Sequence, residues 1–190
     1  MELQDIKMAG SGTISGGQYN KVSIAGSASS SGDIIAEIIK VAGSATFNGE
    51  VEAKEISLAG TTKFMNSVKG EKVKIAGSTK IIGNLTCEEV KIDGHVTIQG
   101  ECNVGTLEYA GESSQFNNIY GENICIETKK NKKVTVNEIE ATNIELKSVV
   151  AKRVSGEKVK ITGRCVIDVI EFKDSLQLSK KVEVKQIVKL

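Results

Sequence analysis

Apolar residues in this 190-residue chain alternate with polar ones in short pairs, and the pairs return on a fixed beat. Gly10, Gly26, Gly43, Gly60, Gly77, Gly94 and Gly111 mark it, separated by 16, 17, 17, 17, 17 and 17 residues. Four residues before each glycine stand Ile6, Val22, Ile39, Ile56, Val73, Val90 and Leu107. Two before it stand Met8, Ile24, Val41, Leu58, Ile75, Ile92 and Tyr109. Four after it come Ile14, Phe47, Phe64, Ile81 and Ile98, and eight after it Ile34, Val51, Val68, Leu85, Cys102 and Ile119. Small residues fill the second position (Ala28, Ala45, Thr62, Thr79) and the tenth (Ala36, Ala53, Gly70, Cys87). The sixth position holds Gly16, Gly32, Gly49, Asn66, Gly83, Gly100 and Asn117, residue types suited to positive φ.

A period of two means strand. Each 17-residue unit reads as three short strands with two inward residues apiece, joined at three corners. One unit has nothing to bury its inward face against, so the units must stack. The pattern therefore predicts an all-β fold: a single-stranded parallel β-helix, or solenoid, with triangular coils of about 17 residues. Right-handed crossovers are the rule for parallel strands, with left-handed solenoids an established exception, so the right-handed form is the expected one of the two. Ten to eleven coils at about 4.8 Å each make one elongated domain, 1–190, on the order of 50 Å long.

Stacking sets like upon like. Phe47, Phe64, Ile81 and Ile98 form one expected core stack, while Glu55, Lys72 and Glu89, and Glu37, Lys54 and Glu71, form outward columns of alternating sign. The heptapeptides "EKVKIAG" (71–77) and "EKVKITG" (157–163) are the same stretch of coil, revisited. Between them the beat slips. "ETKKNKKVTVNE" (127–138) is expected to protrude as a loop or hairpin, and "IEATNIEL" (139–146) resumes the pattern of "VEAKEISL" (51–58). A shorter coil follows before Gly163 restores the rhythm.

Charge changes this picture little. Lys plus Arg (25) nearly balances Asp plus Glu (24), so no global field recruits nucleic acid or an anionic membrane. The core is built from aliphatic residues, because aromatics are 4% and tryptophan is absent. No signal peptide opens the chain, and no apolar run reaches the ~20 residues of a membrane helix. Cys87, Cys102, Cys125 and Cys165 show no CxxC spacing, which fits a reduced, cytosolic protein without a zinc or dithiol site.

Candidate chemistry is sparse. His95, the only histidine, falls on the outward parity one residue after Gly94, and the coil pattern of 6+6+5 fits hexapeptide acyltransferases poorly. Asp33, Glu50 and Glu101 share a column interrupted by Ser67 and Asn84, which reads as a solvated acidic edge rather than a cation site. Cys87, Cys102 and Cys165 fall inward as small hydrophobes, while Cys125 falls outward, and no base accompanies any of them. "GECNVGT" (100–106) lacks the lysine of a phosphate loop, and "KKNKK" (129–133) reads as a solubilising loop. No catalytic, cofactor or metal residue is assigned, and the protein is not expected to be an enzyme.

"KVSIAGSASSSGDIIAE", "EISLAGTTKFMNSVKGEKVKIAGS" and "EVKIDGHVTIQGE" resemble the repeats of the bactofilin, or polymer-forming cytoskeletal, family. The closing "VSGEKVKITGRCVIDVIEFKDSLQLSKKVEVKQIVKL" is similar to the tail of its longer Gram-positive members. The resemblance implies a right-handed β-helix that assembles end to end into filaments without nucleotide. It also implies a bacterial cytoskeletal scaffold serving cell shape, envelope or motility-related assembly, with client proteins along the filament. Many members carry a membrane-targeting peptide before the repeats. Here the first repeat begins within five residues, so direct membrane insertion is not expected, and membrane proximity would come through partners.

Both ends read as uncapped. "LQDIKMAG" enters on a full repeat face, and "VEVKQIVKL" leaves still alternating. The candidate polymer interface is therefore Ile6 and Met8 at one end and Val182, Val184, Val188 and Leu190 at the other. The alternative is a monomeric β-solenoid binding module that presents a flat face to a protein or glycan. Size-exclusion separates the two.

Overall fold

The structure, a computed structural model, describes residues 3–129 and 131–190. All seventeen of its strands run parallel in one continuous sheet wound into a solenoid of about eleven turns, and there is no helix among the described residues. One coil shows the plan. Ser44–Phe47 forms a first face, A. The strand Val51–Leu58 then bends at Lys54, which drops out of the pairing register, and so supplies two further faces: B from 51–53 and C from 55–58. Outward and inward residues alternate within each face, and each bend resets the alternation.

The core is a set of side-chain columns along the axis, and one of them shows the packing. Phe47 pairs in register with Phe64, their rings 5.0 Å apart and 9° from parallel, followed by Ile81, Ile98 and Phe116. All five are at most 4% exposed. Small residues accompany this bulk. Ala36, Ala53, Gly70 and Cys87 line up at the end of face B, and a shallow surface depression follows them.

The corner glycines have a different cause from the positive φ expected of the sixth-position residues. Positive φ occurs among the described residues only at Gly17, Gly163, Asn131 and Ser148. The corners are instead a matter of clearance. A Cβ on Gly60 would stand 1.8 Å from the carbonyl oxygen of Gly43, one coil back. A Cβ on Gly49 would stand 2.4 Å from the amide nitrogen of Asp33. Where asparagine replaces glycine, its side chain ties coils together: Asn66 Nδ2 donates to the Asn48 carbonyl at 2.8 Å.

Opposite charges meet between coils at Lys54 and Glu37 (2.5 Å), Lys69 and Glu52 (3.2 Å), Lys72 and Glu89 (3.5 Å), and Lys91 and Glu108 (3.0 Å). All are exposed, so each contributes little to stability. Their value lies in register, because a slip of one residue would break these contacts and turn the inward side chains outward.

The irregular stretch is narrower than the 127–138 expected of it. Glu127 still belongs to the strand Ser114–Glu127, and Val134 already opens the strand Val134–Lys147, so of the described residues there only 128, 129 and 131–133 leave the sheet. Lys130 lies outside the described residues. The segment is tied back by Thr128 Oγ1 donating to the Lys132 carbonyl at 2.9 Å. Lys129 pairs with Asp93 at 3.1 Å and Lys132 with Glu112 at 3.5 Å. The next coil is shorter, Val134 pairing with Val149, and it closes at Ser148 with φ +62°.

Candidate polymer interface

A solenoid satisfies each strand from the coil below and the coil above, so its end coils are the places where backbone and core remain open. At the N-terminal end Gln4–Met8 is a face-C strand that pairs on one side only, with 19–24. Ile6 and Met8 stand in register on the buried Val22 and Ile24 and are half-buried against the core. Met8 folds over Gly12, where a Cβ would meet its terminal methyl at 3.0 Å.

At the other end Glu183–Lys189 pairs only with 166–172 and covers faces A and B. Face C of the coil beneath, with Leu176 half-buried and Leu178 39% exposed, has no described strand above it. Val182 and Val184 pack against the core as half-buried residues. Ile187 stands in register on the fully buried Ile170, yet is itself 50% exposed. The floor at this end is thus Leu176, Leu178, Val182, Val184 and Ile187.

Val188 and Leu190 require correction. Val188 pairs with Glu171 on the outward side. Leu190 donates its amide to the Phe172 carbonyl at 2.8 Å, but its side chain is 60% exposed at a lateral depression beside Lys173 and Tyr120. The reason is a corner. Lys185 drops out of the register between Val184 and Gln186, and that one-residue step reverses the alternation. The beat itself points to Ile187, which stands 17 residues after Ile170.

Other candidate residues are scattered. His95 is exposed, with Nδ1 against the Ser113 carbonyl and Nε2 3.5 Å from Thr97 Oγ1. Asp33 Oδ1 accepts the Glu50 amide at 2.8 Å as a corner clasp, and no cluster of three or more His, Cys, Asp or Glu suited to a metal occurs among the described residues. Burial pushes the Cys87 thiol up to about 12, and raises Cys102 and Cys165 as well. Exposed Cys125 is also raised, by partial burial first and then by Glu145, Glu127 and Glu108. "GECNVGT" lies within the extended strand His95–Tyr109, with no helix behind it. Among the described residues no helix is long and apolar enough to cross a membrane.

A ladder of coils with partly exposed apolar residues at each described end defines a parallel β-solenoid. The model of the bactofilin family, described as polymer-forming cytoskeletal, matches residues 4–103, just over half of the chain. The chain belongs to the bactofilin family. No match was found among curated proteins or among solved structures.

Proposed function

We propose that the protein is a bacterial cytoskeletal scaffold that polymerises end to end, without nucleotide, and presents its sides to client proteins. The observation that carries this reading is the pair of open floors. Ile6 and Met8 at one end, and Val182, Val184 and Ile187 at the other, lie on core columns with no coil beyond them among the described residues. Each floor also carries a strand edge with unpaired amides and carbonyls. A joint that continues the sheet would satisfy both needs at once.

The cross-section of a three-sided coil offers roughly a few hundred Å² per partner, below the ~800 Å² of a standard interface. Single joints are therefore weak, and filament length should rise with protein concentration. The protein would act in the cytoplasm, reaching the inner face of the membrane through partners, and would catalyse nothing.

The test is a pair of neighbours. Ile187→Glu puts a carboxylate on the floor and should abolish pelleting at high speed, while Val188→Glu, one residue on and facing outward, should leave it intact. Met8→Arg should act like Ile187→Glu, with circular dichroism unchanged in all three. Polymers that survive both floor charges would place the joint on the sides of the rod and refute this reading.

A further inference from the structure

Two adjacent coils depart from the repeat in three columns at once, all on one side of the rod. On face A, exposed Lys63 pairs in register with exposed Lys80, where the coils before and after carry Thr46 and Thr97. Two residues on, at the A–B corner, Met65 and Ile82 stand where the flanking coils have Asn48 and Gln99. Met65 is 38% exposed and Ile82 half-buried. Just past that corner runs the acidic column of Asp33, Glu50 and Glu101, and in these two coils it holds Ser67 and Asn84 instead. Two cations and two apolar side chains are gained where two carboxylates are lost.

Like charges stacked at the ~4.8 Å strand spacing repel each other. Another such pair, Lys74 over Lys91, is relieved by Glu108 at 3.0 Å from Lys91. Lys63 and Lys80 have no such relief. Neither takes part in any ion pair among the described residues, and the face around them presents the hydroxyls of Thr46, Thr61, Ser78 and Thr97. A ligand that brings two carboxylates at the same pitch removes the repulsion and gains two charge pairs.

Spacing decides what that ligand is. The lysine row and the apolar row both step by ~4.8 Å along the rod and lie two strand residues, ~6.8 Å, apart. On an α-helix, residues three or four apart share one face and are separated by about 4.5–6 Å along the axis, while the next residue lies about 100° around. A helix lying along the rod thus sets carboxylates at i and i+4 over Lys63 and Lys80, and apolar side chains at i+1 and i+5 over Met65 and Ile82. An extended strand repeats every ~6.8 Å on one face and overruns the second lysine. Toward the N-terminal end face A turns only Ser27, Ser29, Ser44 and Thr46 outward, so the patch is about 10 Å deep there, two helical turns and no membrane plane. We propose that Lys63, Lys80, Met65 and Ile82 form the docking site for an acidic amphipathic helix of a client protein. The inference rests on the scaffold reading above, whose clients it gives a chemistry. Two exposed ion pairs hold little by themselves, but the site recurs once per subunit in a filament, and a client with two such helices is held far longer.

The experiment titrates the full chain into a fluorescein-labelled, alanine-based helical peptide with Glu at i and i+4 and Leu at i+1 and i+5, read by fluorescence anisotropy at low salt. The parent should bind it. Lys63→Glu with Lys80→Glu should weaken binding at least about tenfold, and Met65→Ser with Ile82→Ser severalfold, with circular dichroism unchanged because all four side chains lie outside the core. A second peptide with Lys in place of Glu should reverse the order, binding the charge-reversed chain and not the parent. No binding by the parent, equal binding to parent and variants, or failure of the swapped peptide to recover binding would overturn the proposal. So would sedimentation of the parent, but not of the lysine variant, with phosphatidylglycerol vesicles while the peptide stays free, which would make the face a lipid contact. High-speed pelleting of the same samples judges the filament reading separately. A parent that binds the peptide and never pellets keeps the docking site and refutes the filament.

Discussion

Alanine at position 60 tests the account of the corner glycines more sharply than any core truncation. Gly60 does not have a positive φ, so alanine meets no backbone strain there. Its Cβ would nevertheless stand 1.8 Å from the Gly43 oxygen, where ordinary contact begins near 3.4 Å. Relief requires the two coils to part locally by more than 1 Å. That strains or breaks the flanking bonds from Ala59 N to the Val41 oxygen (2.8 Å) and from Thr61 N to the Gly43 oxygen (3.0 Å). Two backbone bonds at about 1 kcal/mol each, with disturbed packing behind them, cost about 3–4 kcal/mol. The stiffer unfolded chain returns about 0.4–1 kcal/mol, leaving a net loss of about 2–4 kcal/mol. Gly10 is the internal control. It holds the same column position one coil from the N-terminal end, and a Cβ there meets nothing within 4 Å. Gly10→Ala should therefore be neutral or stabilise by up to about 1 kcal/mol. Urea unfolding followed by circular dichroism, compared at constant m, reads both. Equal costs at the two positions, or a cost at Gly60 under about 1 kcal/mol, would show that clearance is not what selects glycine.

Phe64→Ala should cost about 3–5 kcal/mol through loss of the stack with Phe47, while Lys72→Ala, on an exposed pair, should cost under about 0.5 in the same urea assay. Thr62 and Thr79 are 1% and 2% exposed, and their hydroxyls have no hydrogen-bond partner. Val96 occupies the same column, so Thr62→Val and Thr79→Val should each stabilise by about 1 kcal/mol, read as a higher urea midpoint. Arg153 reaches Glu138 and, at 2.6 Å, Glu171, and its hydrogen bond holds the Glu171 carboxyl below the usual carboxylate range. A depressed folded value means stability that is present above the unfolded value, about 4.3, and lost as pH falls through the folded one. Arg153→Leu should flatten the fall in melting temperature on acidification below about pH 5, and an unchanged slope would remove Glu171 from the acid response.

What could be read from the sequence is what repeats. The 17-residue beat, the inward columns and the cross-coil charges all follow from counting, because each coil restates the same spatial address. What could not be read lies where the count is interrupted. The clamp of Arg153 on Glu138 and Glu171 joins residues 15 and 18 apart, a spacing that arises only because those coils are off the 17-residue length. The floor residue Ile187 was hidden by a corner that alternation alone does not reveal, since a period of two carries on across it. Tyr109 shows a third kind of gap. It takes an aliphatic position yet sends its hydroxyl to Ser114 Oγ at 2.7 Å. It thereby fills the corner where one extra residue enters the coil, between Ile92 paired with Tyr109 and Thr97 paired with Gln115. The residue type hinted at a polar partner there, but not at which one.

The glycine corners connect these observations. Because their Cα atoms lie against the carbonyls of the preceding coil, with no side chain between, the coils can approach to the full hydrogen-bonding distance on all three faces. A bulkier corner would splay one edge, and the rod would curve. Uniform spacing is what makes each outward column a straight row. A straight row allows Lys54 to reach Glu37 and Lys91 to reach Glu108 across the coil spacing. A polymer that joined end to end but bent at every corner could offer clients no continuous side. The clearance at Gly43 and Gly60, where a Cβ would stand 1.9 and 1.8 Å from the preceding carbonyl oxygen, is therefore a condition for the proposed scaffold as much as for the fold.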